Sequence, residues 1–236
     1  MIGVYNYTVI LTYLSMLSGT LGILVCLHSG GHPYMGVFFL LFCGLCDAFD
    51  GKVARHKKDR TQFEKSFGIQ IDSFSDLVAF GILPGCIGFA MLRVSDRFQE
   101  VPVLKVQEAD DKLVLYPVLL VTIILLYSLA ALIRLAYYNV TEEERAKVEG
   151  GVRKYYVGLP VTNAALIFPT IMLLQFSTTV DITPVYFAVM AITAFLFLSK
   201  IHVPKLGMKG LLVMVGIGIA ETVLMVLQLI FKFKLF

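Results

Sequence analysis

Tryptophan is absent from this chain, so tyrosine has to supply any interfacial aromatic belt. Charge is also scarce: Asp, Glu, Lys and Arg together make up 16% of the residues, and the net charge of +3 gives no footprint for nucleic acid. Cysteine is limited to Cys26, Cys43, Cys46 and Cys86, all in apolar segments. That rules out reading them as a disulfide framework. Cys43 and Cys46 have redox-motif spacing but lack a soluble strand–helix context, so helix packing is the expected role. No internal repeat or low-complexity tract is present. The first apolar run is too long for the core of a secretory signal and lacks a basic lead-in, so it is expected to be a span.

What is abundant is apolar sequence. Hydrophobic residues make up 58% of the 236, and the mean hydropathy is +0.80. A bilayer-spanning helix needs about 20 apolar residues. The candidates are 8–28, 34–54, 69–92, 114–138, 159–178, 184–199 and 210–231. The segment 184–199 is short and is expected to borrow the first residues of the next loop. The expectation is therefore an all-α, polytopic transmembrane helix bundle: one integral-membrane domain over 1–236, with six core spans and an additional C-terminal span. The loops 55–68, 139–158 and 200–209 hold most of the basic residues, which places them and the N-terminus in the cytoplasm. Loop 93–113 then lies outside. Thr141, followed by Glu142, Glu143 and Glu144, reads as the N-cap of a short cytoplasmic helix.

Against this apolar background, four carboxylates occupy the ends of two adjacent spans: Asp47, Asp50, Asp72 and Asp76. Ionisable groups at membrane depth are costly, so they mark function by default. Asp47 and Asp50 are three apart and Asp72 and Asp76 four apart, so each pair shares a helix face. Unpaired, the anions repel; a divalent cation would hold them together, and oxygen-only ligands suit Mg²⁺, Mn²⁺ or Ca²⁺ rather than zinc. Gly51, Ala54 and Gly68 leave room for close approach, Arg55 offers a fork of donors to phosphate, and the start of the third span offers unpaired N–H groups. The simpler alternative is a set of solvated helix ends paired with neighbouring Lys and Arg.

The string Asp47-x2-Asp50-Gly51-x2-Ala54-Arg55, then Gly68-x3-Asp72-x3-Asp76, resembles the signature of the CDP-alcohol phosphotransferase family. Every fixed residue is present; twelve residues rather than eight separate Arg55 from Gly68, and the additional ones fall in the polar run His56–Thr61. The resemblance implies transfer from a CDP-linked lipid, CDP-diacylglycerol, to an alcohol with release of CMP. It makes Asp47, Asp50, Asp72 and Asp76 ligands of a pair of Mg²⁺ or Mn²⁺ ions, and Asp76 the general base. It assigns Asp50, Gly51, Ala54, Arg55 and Gly68 to the CDP-lipid. Three more stretches resemble the serine-accepting branch: Phe67–Gly81 with Pro84, Ala130–Asn139 and Tyr156–Thr162. There, Arg134 and Asn139 are expected to hold the acceptor, with Asn139 as a helix cap the plainer reading. Arg153 and Lys154 are candidates for lipid phosphate, and Glu221 for helix packing. A homodimer in the cell membrane, with the active site facing the cytoplasm, completes the expectation. Glycerol 3-phosphate or inositol phosphate is the alternative acceptor, and a divalent-metal transporter the alternative of another class.

Overall fold

The computed structural model describes residues 2–28, 32–95, 111–148, 155–177, 180–204 and 208–234. Among them the chain forms an all-α bundle with one small strand pair. Helix α1 spans Ile10–Leu27 and α2 spans Pro33–His56, with Pro33 in the first turn, where its missing N–H costs nothing. The two helices pack closely because small residues line the seam. A Cβ on Gly36 would collide with Cys26 Sγ, and one on Gly22 would lie 2.9 Å from Phe39 Cβ.

Helix α3 runs Gln62–Asp76, continues through a π-helical stretch at Leu77–Ile82, and becomes α4 at Leu83–Val94. Together they form one rod, Gln62–Val94, seven residues longer at its start than the apolar reading. The added turns are polar, so hydropathy could not count them. A capping box starts the rod: Glu64 N donates to Thr61 Oγ1, and Thr61 N donates to Glu64 Oε2. Glu64 also accepts from Asn6 and Lys57, and its carboxylate holds the Lys57 ammonium above the usual lysine range. Gly68 therefore lies inside the helix, not at its start. The free N–H groups expected for phosphate are those of residues further back, and the capping box engages that end.

The π-helical stretch lies against α5, Asp111–Val148. Tyr127 Oη donates to the carbonyl of Phe80 (2.6 Å) and Ser128 Oγ to that of Gly81 (2.9 Å). In a membrane interior backbone acceptors need such partners. Helix α5 is longer than expected and absorbs Thr141, whose hydroxyl donates back to the carbonyl of Tyr137 (2.8 Å) instead of capping a new helix. Arg145 and Glu142 pair three residues apart and support the continuation.

Strands β1 (Tyr155–Val157) and β2 (His202–Pro204) pair antiparallel, Tyr156 opposite Val203. A 3₁₀ turn at Val161–Asn163 leads into α6, Ala164–Ser177. Helix α7 is Thr183–Leu198; it stops there, and the following residues feed β2 instead of lengthening the span. Helix α8 is Met208–Lys234. The core is aromatic: Tyr127 meets Phe168 edge-on at 5.6 Å, Phe168 meets Tyr186 at 5.0 Å, and Tyr186 Oη donates to the carbonyl of Pro84. Outside, Leu17, Leu21 and Leu24 of α1, Leu125 and Leu129 of α5, and Phe195 of α7 are exposed, the surface a lipid phase covers. Ile10–Leu27, Gln62–Val94 and Val118–Arg145 are long and apolar enough to cross a membrane by themselves.

Candidate active site

The last turns of α2 and the second half of α3 bring the acids together. Oxygens of Asp47, Asp50 and Asp72 all lie within 4.8 Å of one another. Asp50 is buried and accepts from Thr12 Oγ1 of α1 at 3.3 Å; Ser75 Oγ, on α3, donates to the carbonyl of the same Thr12. Helix α1 thus braces both acid-bearing helices at one residue. Asp76 is also buried, one turn further along α3, and lines the same cavity as Asp47 and Asp72.

Three close carboxylates repel unless a cation or a base compensates them. Among the described residues the ion pairs are Lys57–Glu64 and Arg145–Glu142; none involves the four motif acids. The alternative of helix-end acids paired to neighbouring Lys and Arg therefore fails. An all-oxygen, partly buried trio without a counter-cation fits a hard divalent ion.

The cavity has a volume of about 1100 Å³. Gly51 and Arg55 line it beside the acids, with the Arg55 guanidinium folded back over Gly51: a Cβ there would meet Nη1 at 3.4 Å. Ala54 is half-buried on the same turn of α2. Gly68 does not line the cavity; the space a Cβ would take is filled by Arg60, 2.7 Å away at Nη2.

A second polar wall is built from α5 and the strand pair. Arg134 is 5% exposed, so it does not snorkel to the membrane surface. Its Nε donates to the carbonyl of Leu159 (3.2 Å), and its guanidinium lies 5.5 Å from the Tyr138 ring centre. Gly158 presents that carbonyl. Its φ is +80°, its N–H donates to Ile201 O, and a Cβ would come within 2.8 Å of the Phe197 carbonyl and 3.2 Å of Arg134 Nε. Tyr156 of β1 faces Tyr138 at 5.8 Å, and both line the cavity with Thr162 and Asn163. Asn139 departs from both expectations. It lies mid-helix, so it caps nothing, and its amide donates to Ser73 Oγ (2.7 Å), tying α5 to α3 instead of lining the cavity. Arg153 and Lys154 lie outside the described residues. Beyond this wall the cavity turns apolar between α2, α6 and α8, past Leu45, Leu166 and Ile219. Nearby, Thr170 of α6 donates to the buried Glu221 of α8, a helix-packing contact as expected.

Sequence reasoning missed Thr12, Tyr138, Tyr156 and Asn163. The two tyrosines stood inside stretches already singled out, but nothing in their spacing assigned them a wall. Thr12 is placed only by the crossing of α1 with α2 and α3.

The profile of the CDP-alcohol phosphatidyltransferase family matches residues 5–233. The chain belongs to that family. Among curated proteins, it is 32% identical over 165 residues to the CDP-diacylglycerol–serine O-phosphatidyltransferase of Saccharomyces cerevisiae. That alignment covers 66% of this chain and 50% of the relative, so the match spans about half of the relative's length. For a CDP-alcohol phosphatidyltransferase, the Asp47–Asp50–Asp72 group is the natural place for a metal ion, at the polar end of a cavity that continues into apolar space.

Proposed function

We propose that this CDP-alcohol phosphatidyltransferase moves a phosphatidyl group from CDP-diacylglycerol to the hydroxyl of L-serine, giving phosphatidylserine and CMP. The observation that carries the reading is a single cavity lined at one end by three of the four motif acids and at another by the buried cation Arg134. Asp47, Asp50, Asp72 and Asp76 would hold the Mg²⁺ or Mn²⁺ ions, the first three having oxygens within 4.8 Å of one another. Such ions supply charge neutralisation on the diphosphate and a template for in-line displacement. Asp50, Gly51, Ala54 and Arg55 bind the CDP headgroup, Gly51 by letting it approach the backbone, while Gly68, filled over by Arg60, serves packing instead. An Asp76 carboxylate oxygen takes the proton of the serine hydroxyl. The serine oxygen bonds to the phosphorus that carries diacylglycerol, and the bond from that phosphorus to CMP breaks.

Serine is supported by the wall around Arg134, whose other lining groups Tyr138, Tyr156, Thr162 and Asn163 are uncharged. Arg134 takes the serine carboxylate, and the hydroxyls and amide accept from or donate to the rest. An acceptor carrying a phosphate calls for a cluster of bases there. The similar yeast protein, by its name, acts on serine. Arg134→Ala is expected to raise the KM for serine roughly tenfold or more while the KM for CDP-diacylglycerol changes little. CMP release counted over serine, glycerol 3-phosphate and inositol phosphate checks it; an unchanged serine KM sinks the serine pocket.

The protein works in the cell membrane as a homodimer, with the acid cluster facing the cytoplasm. The basic loops around Lys58 support this orientation. In a background lacking the four native cysteines, an impermeant thiol reagent applied to intact cells is expected to label Glu108→Cys and spare Lys58→Cys. The reverse pattern would overturn the orientation.

A further inference from the structure

Serine carries an ammonium group as well as a carboxylate and a hydroxyl. Arg134 takes the carboxylate and Asp76 the hydroxyl proton, which leaves the ammonium to be held. Among the described residues the acids lining the cavity are Asp47, Asp72 and Asp76, all on the motif face and all read as metal ligands. A second cation beside the buried Arg134 is repelled by it unless the wall supplies negative potential.

Aromatic faces supply it. The Arg134 guanidinium lies 5.5 Å from the Tyr138 ring centre, and the Tyr156 ring lies 5.8 Å from that of Tyr138, tilted by 53°. Both rings line the cavity with Thr162 and Asn163. The face of a tyrosine ring is electron-rich and attracts a cation within about 6 Å of its centre. Tyr138 already serves the guanidinium, and the next ring is Tyr156. Strand pairing fixes that ring in place. Tyr156 stands opposite Val203 of β2, which lines the same cavity, whereas its neighbour Tyr155 is exposed, as alternation along a strand requires. The carboxylate and ammonium of serine hang from one carbon. A carboxylate on Arg134 therefore leaves the ammonium beside this same wall.

We propose that the face of the Tyr156 ring recognises the serine ammonium, while Tyr138 holds Arg134 in place for the carboxylate. This rests on the reading that serine is the acceptor. The side-chain oxygens of Thr162 and Asn163 are left for the ammonium N–H groups. An acceptor without an ammonium gains nothing from the ring, so Arg134 and Tyr156 together select a zwitterion.

The test is the KM for serine, from CMP release by the full-length protein in detergent at saturating CDP-diacylglycerol and Mn²⁺. Tyr156→Leu is expected to raise it roughly tenfold, and Tyr156→Phe, which keeps the ring, to stay within about twofold of wild type. The KM for CDP-diacylglycerol changes little in both. Phenylalanine analogues with one and then three ring fluorines at position 156 keep the shape but drain the face of electrons, so the serine KM climbs with each step. A flat fluorine series overturns the proposal and leaves Tyr156 a filler of the wall. So does Tyr156→Phe raising the KM as much as Tyr156→Leu, which marks a hydroxyl contact, and so does an equal rise in Tyr155→Leu, which marks damage to the strand. Should Tyr156→Leu fail to fold, the fluorine series decides. A wild-type protein that releases CMP with another acceptor but not with serine removes the serine reading itself, whereas serine turnover with a flat series removes this inference alone.

Discussion

Asp76→Asn is expected to lower turnover by about 100- to 10,000-fold, the usual loss for a general base. Asparagine keeps the volume of the buried side chain, so packing against the neighbouring helices is preserved. It can still touch a ligand, but it cannot take a proton from the attacking hydroxyl. The KM for CDP-diacylglycerol should then change far less than kcat, the split that separates a chemical role from a binding one. Because Asp76 lines the same cavity as Asp47 and Asp72 and is read as a further ligand, the comparison belongs in saturating Mn²⁺. Near-normal turnover under that condition would place the base on another residue.

Removal of divalent ions with excess chelator is expected to abolish turnover, and Mn²⁺ or Mg²⁺ should restore it. Asp47→Asn and Asp72→Asn should each come close to the chelated level, because each removes one of three carboxylates whose oxygens lie within 4.8 Å. Either exchange also relieves repulsion between like charges. A stability gain without metal, measured as a higher unfolding midpoint in detergent, is therefore expected alongside the loss of activity. Full activity in excess chelator would exclude the metal-held diphosphate.

Much of this site was legible because its parts are local. Asp47, Asp50, Gly51, Ala54 and Arg55 lie within a few turns of one helix, and Asp72 and Asp76 within one turn of another. Helical periodicity alone puts each set on a face. Apolar run length found each helical rod among the described residues, because lipid exposure makes hydrophobicity continuous. Thr141 misled because a threonine ahead of three acids has the composition of a helix start. The backbone kept its helix, and the hydroxyl went to Tyr137 instead. Gly68 misled because the polar turns from Gln62 onward carry no hydropathy signal, although Thr61 and Glu64 at capping-box spacing mark the true start. The pairing of β1 with β2 depends on residues far apart in sequence, and three-residue strands are too short to show a period. Asn139 could be seen as polar, but not that Ser73 stood opposite it.

The widened turn at Leu77–Ile82 divides one continuous rod into two mechanical parts. On the near side stand the acids; on the far side stands the aromatic packing around Tyr186. Each π-type step takes one more residue than an α-type step, so the stretch sets the angular phase between the two parts. Tyr127 and Ser128 clamp that phase by holding the carbonyls of Phe80 and Gly81. Closing these same six residues into a regular α-helix, with none removed, would turn the acid face by about 100° relative to its anchor. A chain so altered could keep every carboxylate and its hydrophobic length and still aim Asp72 and Asp76 away from Asp47 and Asp50.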